Sequence, residues 1–244
     1  MTHGVFILHG LFGAPENLNA FIRHLNLTEK PLTPSIRNHR GGEQKASMAY
    51  TDMANDIREL FYRETLHSCD IIGHSMGGKT AMAAALLNQI PIQKLVILDI
   101  APKVYPLYHM PIIDALLSMP LNRLKSKSDA IRLLEPKVPN LTLRQFLVKN
   151  LIKEDGQFKW GIHLNEIRNN YSNISGFPIN LLTQNSHCKA LCISGSQSNY
   201  VQDTDKNHML QLFPNISFES LPTSHWIHSE SPKEVAGIIN QFLC

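Results

Sequence analysis

The sequence predicts an α/β fold organised around a mostly parallel sheet. Short apolar runs alternate with helix-period stripes over the first hundred residues, the same alternation returns after residue 185, and strand signals vanish between the two stretches. The composition allows a sizeable core. Of 244 residues, 43% are hydrophobic and 18% charged, a balance that excludes disordered, collagen-like and coiled-coil classes.

Val5-Phe6-Ile7-Leu8 reads as a buried strand, and Leu18, Phe21, Ile22 and Leu25 fall on one face of a helix. Met53, Ile57, Leu60 and Phe61 form a second such stripe. Asp70 to Gly73 is a short strand, Gly77 to Asn88 an Ala-rich helix able to lie close to a sheet, and Lys94 to Asp99 a third strand. From Pro102 to about Asn185 prolines recur among short amphipathic segments such as Leu143, Phe146, Leu147 and Leu151. This stretch, 102–185, is expected to be a helical cap (lid) inserted into a core made of 1–101 and 186–244. Ala190 to Ile193 and Ile216 to Glu219 resume the strands. A last helix opens at Ser231-Pro232-Lys233-Glu234, where a serine cap and a capping box with Glu234 are expected. Val235, Ile238, Ile239 and Phe242 supply its buried face.

The formal net charge is +3 and the basic residues are scattered, so nucleic-acid binding gets no support. No apolar run approaches the roughly 18 residues that a membrane span requires. Cys69, Cys188, Cys192 and Cys244 show no CxxC spacing, and the first strand pattern leaves no room for a leader before it. A reducing, cytoplasmic location is expected.

Gly73-His74-Ser75-Met76-Gly77 matches G-x-S-x-G between a predicted strand and a predicted helix, the context that gives this short pattern meaning. A sharp strand-to-helix turn strains the central residue and needs glycine where side chains would collide with backbone. Ser75 is therefore the candidate nucleophile. His9-Gly10-Leu11-Phe12-Gly13 follows the first strand, where an oxyanion-binding loop belongs. The N–H groups of Leu11 and Met76 are the candidate donors; Phe12 is a weaker donor candidate and a candidate pocket wall. His9 is expected to fix the loop by hydrogen bonding.

Among twelve histidines, His225 stands out because it follows the last predicted strand, in a turn that ends near the elbow. It is the candidate general base, with His228 as rival, expected to contact the sheet or the terminal helix. His225-x-x-His228 lacks a third ligand at sensible spacing, so no metal is expected. The turn from Ser194 to Val201 contains no carboxylate, which leaves Asp99, at the carboxyl end of its strand, favoured over Asp203 and Asp205 as the acid that orients His225. His74, Tyr200 and Trp226 complete the candidate pocket, and Tyr108, Phe146, Trp160 and Tyr171 are candidate walls from the cap.

With these residues the chain resembles the α/β-hydrolase superfamily, and within it the YbfF-type bacterial esterases and their mitochondrial abhydrolase relatives. The resemblance covers nearly the whole chain. It rests on His9 to Gly13, Arg37-Asn38-His39, Gly73 to Lys79, Asp99-Ile100-Ala101-Pro102, Gly195 with Ser198-x-Tyr200-Val201, and His225-Trp226-Ile227-His228-x-Glu230-x-Pro232. It implies an acid at Asp99, hydrolysis of short- to medium-chain acyl esters, and no metal or organic cofactor. Ser35 and Arg40 depart from the family pattern, which bears on pocket shape, and the first two strands of the fuller fold are expected to be missing or very short.

The expected protein is a serine carboxylesterase that acts on a small-molecule acyl ester through an acyl-enzyme. Neither a nucleic-acid partner nor a membrane span is expected, and nothing in the pattern specifies an oligomer. An acyl thioesterase or a C–C bond hydrolase would use the same triad. The alternative of another class is a non-catalytic ligand-binding protein on the same scaffold.

Overall fold

Seven strands are formed among the described residues: β1 (His3–Leu8), β2 (Ser68–His74), β3 (Ile92–Leu98), β4 (Leu151–Glu154), β5 (Gln157–Trp160), β6 (Lys189–Gly195) and β7 (Ile216–Leu221). The structure, a computed structural model, describes residues 2–244. Five of these strands make one sheet in the order β1-β2-β3-β6-β7, with every neighbouring pair parallel. A parallel sheet is covered on both faces, so its strands are apolar throughout rather than alternating. Leu95, Val96, Ile97 and Leu98 of β3 are accordingly all buried.

The helices are α1 (Asn19–Ile22), α2 (Tyr50–Arg63), α3 (Met76–Leu87), α4 (Met110–Leu117), α5 (Lys127–Leu134), α6 (Leu141–Val148), α7 (Leu164–Asn169), α8 (Tyr171–Ser175), α9 (Asp203–Leu212), α10 (Ile227–Glu230) and α11 (Pro232–Leu243). Successive strand side chains point to opposite faces, and the core divides accordingly. Phe6, Leu8, Ile71, Leu95 and Ile97 pack with residues of α2, α3 and α9. Ile7, Ile72, Val96 and Leu98 pack with Leu18 just before α1, Phe21 of α1, and Val235 and Ile239 of α11. Residues Met76 to Leu86 of α3 are all buried, which the run of small residues permits.

The chain leaves the sheet after β3 and rejoins it at β6, and α4 to α8 lie in between. This stretch is not purely helical as expected: β4 and β5 form an antiparallel hairpin within it. Its turn, Asp155-Gly156, has both residues at positive φ (49° and 80°), the backbone that matches strand twist in a two-residue hairpin loop. The first expected helix is shortened to a 3-10 turn over Pro15–Leu18 followed by the four residues of α1, though Leu18 and Phe21 are buried as expected. At α11 the proline sits in the first turn, but the Ser231 side chain makes no cap bond. Its backbone N–H instead donates to Ile227 O at 3.0 Å, so α10 runs directly into α11. Outside β1, Leu32 pairs through Ile7 N–H to Leu32 O (2.9 Å) and Leu32 N–H to Val5 O (2.8 Å), one bridge in place of a strand.

The α3 helix starts so close to β1 that a Cβ on Gly77 would lie 2.5 Å from Leu8 O and 2.7 Å from His9 O. Backbone cannot yield as a flexible side chain would. Gly77→Ala is expected to destabilise the fold by about 1–3 kcal/mol, read from urea unfolding midpoints; an unchanged midpoint would show that this approach is looser than described.

Candidate active site

Ser75 lies between β2 and α3 with φ 53° and ψ −118°, a backbone that residues with a Cβ avoid. A Cβ on Gly73 would come 2.3 Å from Gly77 O, so both flanking glycines are required by the turn itself. Such strain costs on the order of 1–3 kcal/mol and persists only where the surroundings enforce it. Here the Ser75 N–H donates to Leu98 O (3.1 Å) and its carbonyl accepts from Lys79 N–H (3.0 Å).

Asp99 follows β3 at φ 50° and is fully buried. Its Oδ1 accepts from Gly195 N–H at 2.9 Å, and its Oδ2 accepts from Ser198 Oγ–H at 2.5 Å and from His225 Nδ1–H at 2.8 Å. The proton of a neutral His225 is thereby placed on Nδ1, leaving Nε2 as the basic nitrogen. Tyr200 stacks on the His225 ring with centroids 3.8 Å apart and planes 14° from parallel. His74 donates through Nε2–H to His225 O (2.9 Å), fixing the backbone of the same turn. Burial, with His228 and His225 nearby, holds the His74 imidazole well below its ordinary range.

Ser75 and His225 line one cavity, yet among the described residues Ser75 Oγ makes no hydrogen bond, to His225 or to any other group. Contacts of this kind are often long in unliganded enzymes. The rival acids are engaged elsewhere: Asp205 pairs with Lys103 at 2.5 Å and Asp203 with Lys206 at 2.9 Å. The rival base, His228, is buried against His74 (ring centroids 4.3 Å) and Phe21 (6.2 Å), and burial followed by His225 pushes it down to about 4.

In the loop after β1, the N–H groups of Leu11 and Met76 have no protein partner among the described residues, and both residues line a cavity with Ser75. Phe12, at φ 59°, donates its N–H to His39 Nε2 (3.0 Å) and so has none to offer. Two histidines brace this loop. His9 accepts from Ile36 N–H at Nε2 (3.1 Å) and donates from Nδ1 to Gly10 O (2.9 Å), while His39 donates from Nδ1 to Arg37 O (3.0 Å). Burial lowers His9 to about 4 and His39 to about 3, the latter with a further contribution from His9. The Arg37-Asn38-His39 motif is thus a brace under the loop that carries the candidate donor Leu11.

Two cavities flank Ser75. The first is walled by Tyr50, Met76, Lys79, Tyr105, Tyr108, Tyr171 and Tyr200, the second by Phe12, His74, Leu143, Phe146, His225 and Trp226. Trp160, expected as a wall, lines neither; its Nε1–H donates to Leu116 O at 3.0 Å. Among the described residues no group of three or more His, Cys, Asp or Glu side chains is placed to hold a metal ion.

Sequence reasoning missed two anchors. Buried Lys79 donates from Nζ to Lys103 O (2.8 Å), Ser175 O (2.9 Å) and Gly176 O (2.7 Å), tying α3 to both ends of the inserted stretch. Burial, then Lys103, pulls its ammonium down to about 7. Asn150 donates from Nδ2 to Phe12 O at 2.7 Å, tying the inserted stretch to the loop after β1. The available signal was a lysine one turn after Ser75 in a helix otherwise made of small and apolar residues.

A family profile described as the α/β hydrolase fold matches residues 5–232. The sn-1-specific diacylglycerol lipase ABHD11 of Danio rerio is 33% identical, covering 97% of this chain and 77% of its own length. Esterase YbfF of Escherichia coli is 29% identical over 98% of this chain and 92% of its own. A solved structure described as a marine microorganism esterase superposes with a TM-score of 0.90 at 30% identity, covering 99% of this chain and 95% of that one.

His9, His39 and His228, held near 4, 3 and 4 in the fold, return to about 6.5 on unfolding, where protons bind more readily. Their contribution to stability is complete above that value and is lost as pH falls towards 4. Each should cost at most about 1.4 kcal/mol per pH unit in that window. Urea midpoints should hold between pH 7.5 and about 6.5 and fall from there to pH 4, and a flat profile over that lower range would contradict the buried neutral imidazoles.

Proposed function

The chain belongs to the α/β-hydrolase family and, within it, to the esterases of the YbfF and ABHD11 type, and from that premise we propose that it is a serine carboxylesterase working through an acyl-enzyme. Ser75 Oγ attacks the ester carbonyl while His225 Nε2 takes its proton. The Leu11 and Met76 amides receive the oxyanion as it develops. Collapse expels the alcohol, which leaves with the proton from His225, and water then repeats the sequence on the acyl-enzyme. Asp99 holds the imidazole in the required tautomer and stabilises the imidazolium. The stretch 102–185 serves as the cap, contributing Tyr108, Tyr171, Leu143 and Phe146 to the two cavities.

The observation that carries this reading is the 2.8 Å bond from His225 Nδ1–H to a fully buried Asp99, beside a serine held at φ 53°. A ligand-binding scaffold has no use for that strain or for two unpartnered amides next to a hydroxyl. Short- to medium-chain acyl esters are the proposed substrates, with no metal or organic cofactor. Four unpaired cysteines, two of them buried with thiols pushed up to about 12, suit a reducing, cytoplasmic compartment.

A fluorophosphonate probe followed by intact-mass analysis should add one adduct to the wild type and none to Ser75→Ala. Asp99→Asn should lower kcat by about 10⁴ with the fold retained, whereas Asp203→Asn should match the wild type. Well-folded wild-type protein that neither labels nor hydrolyses p-nitrophenyl esters would overturn the reading, and a reversal between the two aspartates would overturn the assigned acid.

A further inference from the structure

Three residues alone line both cavities: Leu11, Ser75 and His109. Leu11 and Ser75 belong to the proposed machinery, but His109 comes from the cap, in the turn before α4. An ester that spans both cavities must pass all three. Met76 walls only the first cavity and His225 only the second. Because the leaving oxygen must meet His225, the acyl group falls in the first cavity, the alcohol in the second, and the reacting carboxyl group at the junction.

The proton of His109 is directed by its surroundings. Tyr171 Oη lies 2.9 Å from His109 N and 2.7 Å from His109 Nδ1. The backbone N–H can only donate, so that oxygen already accepts one bond, and its own proton is free for Nδ1. A neutral imidazole that accepts at Nδ1 carries its hydrogen on Nε2. Burial, with a smaller contribution from His225, holds His109 at about 4, so it is neutral in ordinary buffers. Phe12 meets the ring edge-on, centroids 6.1 Å apart and planes at 70°. Nε2 has no protein partner among the described residues.

Resting on the esterase reading, we propose that His109 is a catalytic residue contributed by the cap, whose Nε2–H donates a hydrogen bond to the alkoxy oxygen of the ester at the junction of the two cavities. The two main-chain donors hold the carbonyl oxygen, and this side chain holds the other one. The ester then engages the nucleophile only where core and cap meet. No proton is transferred from His109; the leaving alcohol still takes its proton from His225.

The test compares His109→Leu, His109→Gln and Tyr171→Phe with the wild type, using p-nitrophenyl butyrate kinetics, thermal melting and fluorophosphonate labelling of Ser75. His109→Leu should lose ten- to a hundredfold in kcat/KM, mainly in kcat. His109→Gln, which returns an N–H near the place of Nε2, should recover at least threefold over Leu. Tyr171→Phe, which no longer directs the ring proton, should lose three- to tenfold. A folded His109→Leu within twofold of wild type, or a Gln variant no better than Leu, would overturn the proposal while wild-type labelling and turnover leave the esterase reading standing. Should His109→Leu not fold, wild-type activity in both of the other variants would overturn it. A wild type that neither labels nor turns over would fail the esterase reading, and the role of His109 with it.

Discussion

Asp99 has no access to water, and a carboxyl group in that position is tolerable only if its oxygens find donors inside the protein. The donors come from separate segments: Gly195 N–H at the end of β6, Ser198 Oγ–H in the loop beyond it, and His225 Nδ1–H after β7. Asp99 also extends the sheet ladder by donating its N–H to Ile193 O at 2.9 Å. The positive φ that follows β3 turns its carboxyl toward the ends of the neighbouring strands. One side chain thus fixes where two loops meet, and one of its three partners is His225, the base of the proposed mechanism.

Around that centre the protein uses neutral histidines as connectors. A neutral imidazole has one donor and one acceptor on a rigid ring, so it can join a carbonyl on one segment to an N–H on another. His9 links Gly10 to Ile36, and His39 links Arg37 to Phe12. In each, burial suppresses protonation, which would turn the accepting nitrogen into a donor facing an N–H. The loop after β1, which carries the proposed oxyanion donor Leu11, is thus held in shape by uncharged groups.

The elbow was legible in the sequence because its glycines answer to hard contacts, 2.3 Å at Gly73 and 2.5 Å at Gly77, that no other residue can satisfy. The pairing of Asp99 with His225 was legible by elimination, since the turn after β6 offers serines and no carboxylate. Leu11 was preferred over Phe12 as a donor, but the reason, the capture of Phe12 N–H by His39 twenty-seven residues away, is visible only in three dimensions. Lys79 and Asn150 escaped notice for a related cause. Their partners are backbone carbonyls distant in the chain, and a carbonyl leaves no mark in the residue alphabet. The hairpin in the cap did leave one, Asp155-Gly156, which the surrounding prolines and short helical stripes obscured.

Those carbonyl partners bear on how the inserted stretch is seated over Ser75. Lys79 reaches three carbonyls of the inserted stretch from the helix that begins after Ser75, Asn150 reaches the carbonyl of Phe12, and His163 N–H reaches Asn38 O at 2.9 Å beside the brace. Every one of these ties joins the inserted stretch to α3, the loop after β1 or the brace beneath it. In the Lys79 and His163 ties the inserted stretch contributes only main chain, so these do not depend on its side chains, whereas the Asn150 tie requires the asparagine itself. Tyr108, Leu143 and Phe146, which face the cavities, make none of these ties, so the residues that line the cavities are distinct from those that anchor the inserted stretch beside Ser75. A fold that separates anchoring from lining can carry different pockets on one framework.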